Sequence, residues 1–336
     1  MRRSALSLFL IGAIVFAGQI QAQAQMTFDA SNPLGTANTF NGFVFNSANI
    51  AGGDAEGAIA VGGDFTSNYS VSAHGFTGTV GSTTNIGVYA NGTLTSGNAA
   101  HINGNADAYA TAFSDAQGYS HSGAEHTITS NVASSLFSSQ LTYSRYQSSG
   151  LRDLTGAAIN MTDPNNWTID ANNSTQYGTL KVFTVNANLL DNQNPVSLNV
   201  SNLLPNQTLA INVTGDVNRL GVSLNNVSAT QVVWNFPTLV GQDLQGGYVN
   251  ITHDVIGSVL APNKTVNHSM NINGIMIASH WTVVGAPELH YTNTKFSGDL
   301  KRVSPANLKT PEPGSVGLLI GLGVSTAMFA RRRRKK

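Results

Sequence analysis

The feature that most constrains this chain is a ten-residue pattern that returns 17 residues later. Gly257-Ser258-Val259-Leu260-Ala261-Pro262-Asn263-Lys264-Thr265-Val266 lies over Gly274-Ile275-Met276-Ile277-Ala278-Ser279-His280-Trp281-Thr282-Val283. Gly, Ala, Thr and Val recur at matching places, and the two central positions are apolar in both copies. So short an offset has no room for two parallel strands and a crossover helix. It suits one coil of a β-solenoid, whose coils stack about 4.8 Å apart with like residues above like. A looser copy sits earlier, with Gly57-Ala58-Ile59-Ala60 and Gly87-Val88-Tyr89-Ala90. A β-sandwich also has many short strands, but nothing in it calls for a ten-residue pattern repeated one coil on. The expected fold is therefore mainly β, a right-handed parallel β-helix with aliphatic residues filling its interior.

Short apolar runs separated by Gly, Asn and Ser support this along most of the chain. Examples are Phe43-Val44-Phe45, Ala58-Ile59-Ala60-Val61, Leu209 to Val213 and Val232 to Phe236. Only 10% of residues are charged while 41% are hydrophobic, a mixture that fits a β-protein with many tight turns. One region departs from the pattern. From Asn103 to Gly150, Gly gives way to Ala, Ser and Gln, and Val132, Leu136 and Tyr143 fall on one helical face. One long α-helix packed along the solenoid is expected here, closed by Gly150, with His121 to His126 as a loop.

Both ends read as processing signals. Arg2 and Arg3 precede the apolar run Ala5 to Ala17, and Ala22-Gln23-Ala24 is the small-x-small pattern cut by signal peptidase, which makes residues 1–24 a signal helix. At the other end Pro311-Glu312-Pro313 leads into the uncharged stretch Gly314 to Ala330 and then into Arg331 to Lys336. As a helix, residues 314–330 span about 26 Å, short but sufficient for a bilayer core of about 30 Å. The terminal cations would stay cytoplasmic and leave Pro311 and everything before it outside. Between the signals, residues 25–310 carry 16 acidic and 9 basic side chains, an excess that disfavours nucleic acid. The chain has no Cys, which excludes disulfides, thiolate metal sites and thiol nucleophiles.

The order of motif, span and basic end resembles the PEP-CTERM sorting signal of Gram-negative bacteria. The resemblance implies cleavage at Pro311, Glu312 and Pro313 by an exosortase, transient residence in the inner membrane, and a host that makes exopolysaccharide. The ectodomain resembles the choice-of-anchor A family of bacterial surface proteins. The stretches that carry this are Asn41-Gly42-Phe43-Val44-Phe45, Ala55-Glu56-Gly57-Ala58-Ile59-Ala60-Val61-Gly62-Gly63-Asp64, Lys181-Val182-Phe183, Ile211-Asn212-Val213, Val233-Trp234-Asn235-Phe236-Pro237, Leu260-Ala261-Pro262-Asn263, Glu288-Leu289-His290 and Phe296-Ser297-Gly298. The plan is also similar to ice-binding β-solenoids, where a long helix lies beside a three-sided β-helix. These resemblances give a solenoid domain at 25–300, a linker at 301–310 and the sorting signal at 311–336. They imply an adhesive or structural surface module with no enzyme activity.

Candidate chemistry is sparse. Glu288 and His290 would share one strand face as a hydrogen-bonded pair, two groups being too few for a metal site. His253-Asp254 reads as a turn, and His280, matching Asn263, as a coil corner. Gly52-Gly53-Asp54 and Gly62-Gly63-Asp64 read as acidic turns rather than calcium loops, which need six to eight oxygens. No nucleophile elbow or phosphate loop occurs. A polysaccharide lyase or hydrolase would need convergent carboxylates or cations, yet Lys181, Lys264 and Lys295 are scattered. Ice binding would need a regular Thr face, of which Thr265 and Thr282 give two rungs. No cofactor is expected. The resulting expectation is an exported, non-enzymatic protein bound to exopolysaccharide or cell-surface glycans, with Trp281 and Tyr291 as candidate sugar contacts. An ice-binding protein or a polysaccharide-acting enzyme are the alternatives.

Overall fold

Runs such as Val259-Leu260-Ala261 and Met276-Ile277-Ala278 present apolar side chains to both faces of a strand, so a strand made of them must be covered twice. The computed structural model describes residues 29–303 other than 69, 73, 98–100, 116–119, 122, 192–195, 238–245 and 292–293, within one compact unit, Phe28–Asn307. In it the repeat stacks as expected, with Val259, Leu260 and Ala261 in parallel register with Met276, Ile277 and Ala278. Each copy divides its apolar residues between two cores, however. Val259, Ala261, Met276 and Ala278 point into the solenoid, whereas Leu260 and Ile277 belong to a second core outside it. That second core lies under the helix.

The solenoid has three faces, which we call the helix-covered, flat and third faces. On the helix-covered face eleven parallel segments stack in the order Glu125–Thr127, 108–110, 88–90, Ile59–Val61, Gly42–Val44, 276–278, 259–261, 233–235, 209–212, 182–185 and Ala157–Ala158. This order is not the order of the sequence. The chain starts in the middle, builds coils toward one end, crosses back along the helix, and builds coils inward from the other end. The last coil closes on the first, so that Gly42, Phe43 and Val44 pair with Met276, Ile277 and Ala278. Two side chains bracket this seam. The Asn41 amide donates to the Gly274 carbonyl at 3.0 Å while its oxygen accepts the Gly57 N–H at 3.3 Å. The Glu56 carboxylate accepts the Tyr291 N–H at 2.6 Å.

The helix runs Ser130–Arg152. It starts later than its compositional window, because Asp107–Asp115, Ser120–His121 and Glu125–Thr127 are strands, the last two where a loop was expected. Gly150 does not end the helix. It lets Val303 approach, since a Cβ there would lie 3.0 Å from the Val303 Cβ. The fold thus continues past residue 300 through the short turn Lys301–Val303. Phe137 packs against Phe43 with ring centroids 5.1 Å apart, and Tyr143 is buried. Polar clamps hold the remaining length. Asn235, fully buried, donates to the Ser148 carbonyl at 2.9 Å and to Asn212 Oδ1 at 2.8 Å, and accepts the Ser148 hydroxyl at 2.6 Å. Asn212 donates to the Leu151 carbonyl at 2.8 Å, and Arg145 Nε donates to Asn263 Oδ1 at 2.7 Å. The Trp-Asn-Phe-Pro and Leu-Ala-Pro-Asn runs are therefore helix-docking devices, with Trp234 turned inward and its Nε1 donating to the Ile256 carbonyl.

The looser early repeat is real but one residue out of the expected alignment: Ile59, Ala60 and Val61 pair with Val88, Tyr89 and Ala90. Among the described residues no helix is long and apolar enough to cross a membrane. The expected signal helix and the span at 314–330 lie outside the described residues.

Candidate functional site

On the flat face the segments stack in the order 112–115, 93–96, Phe65–Ser67, Ala48–Ile50, 281–283, 266–268, 249–251 and Val217–Leu220. Among the described residues no helix covers this face, and its strands accordingly alternate. Ala48–Ile50 and Phe65–Ser67 each bury their outer two residues and expose the middle one. Inward positions carry Val266, Trp281, Ala48, Phe65 and Leu94, all in the solenoid core. Outward parity then gives one straight row: Asn250, Asn267, Thr282, Asn49, Thr66, Thr95 and Ser114.

The two halves of this row differ chemically. At one end the Asn267 amide donates to Asn250 Oδ1 at 2.8 Å, and the Asn250 amide to the Asn218 carbonyl at 3.0 Å. Asn218 in turn accepts from the Tyr248 hydroxyl and donates to Asp191 at 3.3 Å. The other five side chains, from Thr282 to Ser114, have no protein partner among the described residues. Segments 47–51, 64–68, 93–97, 112–115 and 280–284 contain no Lys or Arg. Among the described side chains of these segments the one carboxylate is Asp64, which accepts the Thr93 N–H at 2.8 Å.

The Thr ladder differs from the expected one. Between the faces the repeat changes register from 17 to 15 residues, so Thr265 pairs with His280 and Thr282 with Asn267. The coil containing Pro262-Asn263-Lys264 simply has a longer corner. His280 does stand at a corner, opposite Thr265 rather than Asn263, with Nδ1 3.1 Å from Ser279 Oγ, and burial lowers its pKa.

The two candidate sugar contacts are covered. Trp281 is 1% exposed, because its position has inward parity, and it meets His268 edge-on at 5.5 Å. Tyr291 is 9% exposed, packs edge-on against Phe76 at 5.7 Å, and donates its hydroxyl to the Asn38 carbonyl. Neither ring offers an open face to a pyranose.

On the third face Glu288 and His290 form the expected pair, 2.6 Å apart, with His290 Nδ1 2.8 Å from Asn273 Oδ1. Asp54 is the register partner of Glu288, and burial followed by the Glu288 charge raises its pKa. Among the described residues no group of three or more His, Cys, Asp and Glu is placed to hold a metal ion. His253 lies in a bend ahead of the strand Val255–Ile256. Gly53 has φ of 107°, which glycine adopts without steric cost, and Asp54 opens the strand Asp54–Ala55. The lysines do not converge: Lys181 is buried, and Lys264 spans a corner to Asp216 at 2.6 Å and to the Gly215 carbonyl at 2.9 Å. Burial lowers the Lys295 pKa.

Several solved structures are distantly similar to this chain. They include an ice-binding protein from the Antarctic ascomycete Antarctomyces psychrotrophicus, 13% identical, covering 76% of this chain and 96% of that one with a TM-score of 0.37. A glycosylated ice-binding protein from an Arctic yeast is 13% identical over 79% of this chain and 95% of that one, TM-score 0.35. The DUF3494 domain of a Shewanella frigidimarina ice-binding protein is 11% identical over 76% and 95%, TM-score 0.32. No inference rests on likenesses this distant. No curated protein matches the sequence. The family model described as "Putative Ice-binding-like adhesive domain" matches residues 33–291, from ahead of the first strand to the last residue that brackets the seam. With most of its length inside that match, the chain belongs to the ice-binding-like adhesive domain family.

Proposed function

We propose that this adhesive domain works outside the cell as a non-enzymatic component of the surface or matrix, and that it grips exopolysaccharide or cell-surface glycans with its flat face. The observation that carries this reading is the outward row from Thr282 to Ser114: neutral, exposed or half-exposed, and without protein partners. A rigid array of donors and acceptors held in register needs no ordering on contact, which lowers the entropic cost of binding. Membership of an adhesive family supports the role.

The termini supply the route in this reading. Signal peptidase would cut after residue 24 and an exosortase at Pro311-Glu312-Pro313, so that the inner membrane of a Gram-negative cell holds the protein only in passing. Choice-of-anchor A membership belongs to the same proposal. It is supported by the work its motif residues do here, with Asn41 and Glu56 at the seam and Asn235 and Asn263 at the helix. The acidic balance of residues 25–310 argues against nucleic-acid partners.

The test is to incubate the purified protein with the host's exopolysaccharide and to assay retention and released oligosaccharide together. Retention without product is expected. Product release would overturn the non-enzymatic reading, and absence of retention the adhesive one. The in-register Thr282, Thr66 and Thr95 give one observation in favour of ice as a second reading. Thermal hysteresis of the same sample checks it.

A further inference from the structure

The flat face is regular in one dimension only, and that limits what can lie on it. Along the solenoid axis the partner-free row Thr282, Asn49, Thr66, Thr95, Ser114 offers a hydrogen-bonding group about every 4.8 Å over five rungs, roughly 19 Å in all. Across the strands the regularity disappears. The positions two residues upstream read His280, Ser47, Asp64, Thr93 and Ala112, and those two residues downstream begin Val284, Ala51, Asn68 and Gly97. A two-dimensional lattice would need matching rows on both sides. A linear chain needs one.

The charge pattern narrows the chain further. The five strands carry no Lys or Arg, and Asp64 stands beside the row. A polyanion would find no counter-charge and would meet a carboxylate. The row also lacks an aromatic ring, so recognition there comes from hydrogen bonds to hydroxyls and not from stacking. Its saturated continuation through Asn267, Asn250 and Asn218 has already spent its amides on the protein, which makes it scaffold for the working half.

We infer that the row from Thr282 to Ser114 binds a neutral, hydroxyl-rich polysaccharide laid parallel to the solenoid axis, across the seam where the first and last coils meet. This rests on the adhesive reading above and specifies its ligand. The experiment uses the full protein on three neutral glucans of different linkage, cellulose, curdlan and dextran, and on alginate as a polyuronate, with thermal hysteresis measured in parallel. Retention on at least one neutral glucan and not on alginate is expected. The variant Asn49→Ala/Thr66→Ala/Thr95→Ala should lose at least tenfold in affinity with an unchanged melting temperature. Thr66→Lys, a single exposed change, should lose glucan affinity and gain affinity for alginate, and it keeps the test valid if the triple variant fails to fold. Tyr146→Ala, on the exposed side of the helix, should bind as the parent does. Equal or preferential binding to alginate, or undiminished glucan binding by both row variants, overturns this inference while leaving the adhesive reading in place. Binding to none of the four polymers also overturns this inference, the adhesive reading falling only if the host's exopolysaccharide fails to retain the protein as well, and thermal hysteresis in that sample would assign the row to ice.

Discussion

His268 makes the stability of this domain depend on pH in a way that can be worked out from its surroundings. The imidazole lies inside the solenoid, between the Ile251 and Val283 rungs and edge-on to Trp281. It is 1% exposed, and among the described residues neither ring nitrogen has a hydrogen-bond partner. Desolvation of the charged form lowers its pKa from 6.5 to about 3. In the unfolded chain the same group takes a proton near pH 6.5. Between these values the unfolded state binds more protons, so stability is full above about pH 6.5 and is lost as pH falls toward 3. At about 1.4 kcal/mol per pH unit, the loss reaches roughly 2 kcal/mol at pH 5 and roughly 5 kcal/mol once complete. Against a total of about 10 kcal/mol, that is a large fraction. The perturbation is His268→Phe, which keeps a ring against Trp281 and removes the titration. Urea unfolding of both proteins at pH 8, 6 and 5 isolates the effect, because the carboxylates titrate alike in each. The parent should lose about 2 kcal/mol relative to the variant between pH 8 and 5. Parallel curves for the two proteins would refute the reasoning.

Three further outcomes follow from other parts of the molecule. Asn235→Ala should destabilise by about 2–4 kcal/mol in urea, because the Ser148 carbonyl and hydroxyl and Asn212 Oδ1 lose a buried partner together. Gly62→Ala should cost several kcal/mol or prevent folding, read by circular dichroism and melting temperature, since its Cβ would lie 2.1 Å from the Phe45 carbonyl oxygen. Glu312→Ala in the host should leave the tail uncleaved and the protein in the membrane fraction, detected as a larger band on immunoblot; normal processing would remove the sorting proposal.

Much of the fold could be read from the chain because stacking converts sequence period into spatial neighbourhood. The 17-residue offset places Leu260 beside Ile277, and this is the register found. The interior could not be assigned from the same pattern. Val259-Leu260-Ala261 is apolar throughout, and only the presence of the helix decides that Leu260 faces outward onto a second core. The helix was visible in composition, but its start was blurred: Tyr109 to Phe113 is apolar and Ala-rich at a spacing that a strand and a helix share.

The candidate site was the least legible part. Asn49 and Thr66 sit in three-residue strands and Thr95 near the end of a long one, and they share no motif with Thr282. Thr282 joins their row only because the last coil returns to the first, and no periodicity in the sequence encodes that closure. Trp281 and Tyr291 drew notice as aromatics among polar residues. Strand parity sends Trp281 inward, and the seam closes over Tyr291.

The account depends on Asn49 and Thr282 standing side by side on adjacent rungs, from opposite ends of the folded chain. The protein contains no Cys, so a pair introduced at these positions reports on nothing else. Neighbouring strands separated by about 4.8 Å are within the Cα range of a disulfide. Mild oxidation of Asn49→Cys/Thr282→Cys should give a faster-migrating monomer on non-reducing gels, abolished by reductant, with neither single variant producing it. A double variant that keeps two free thiols, or that links only between molecules, would contradict the closed solenoid and the binding row built across it.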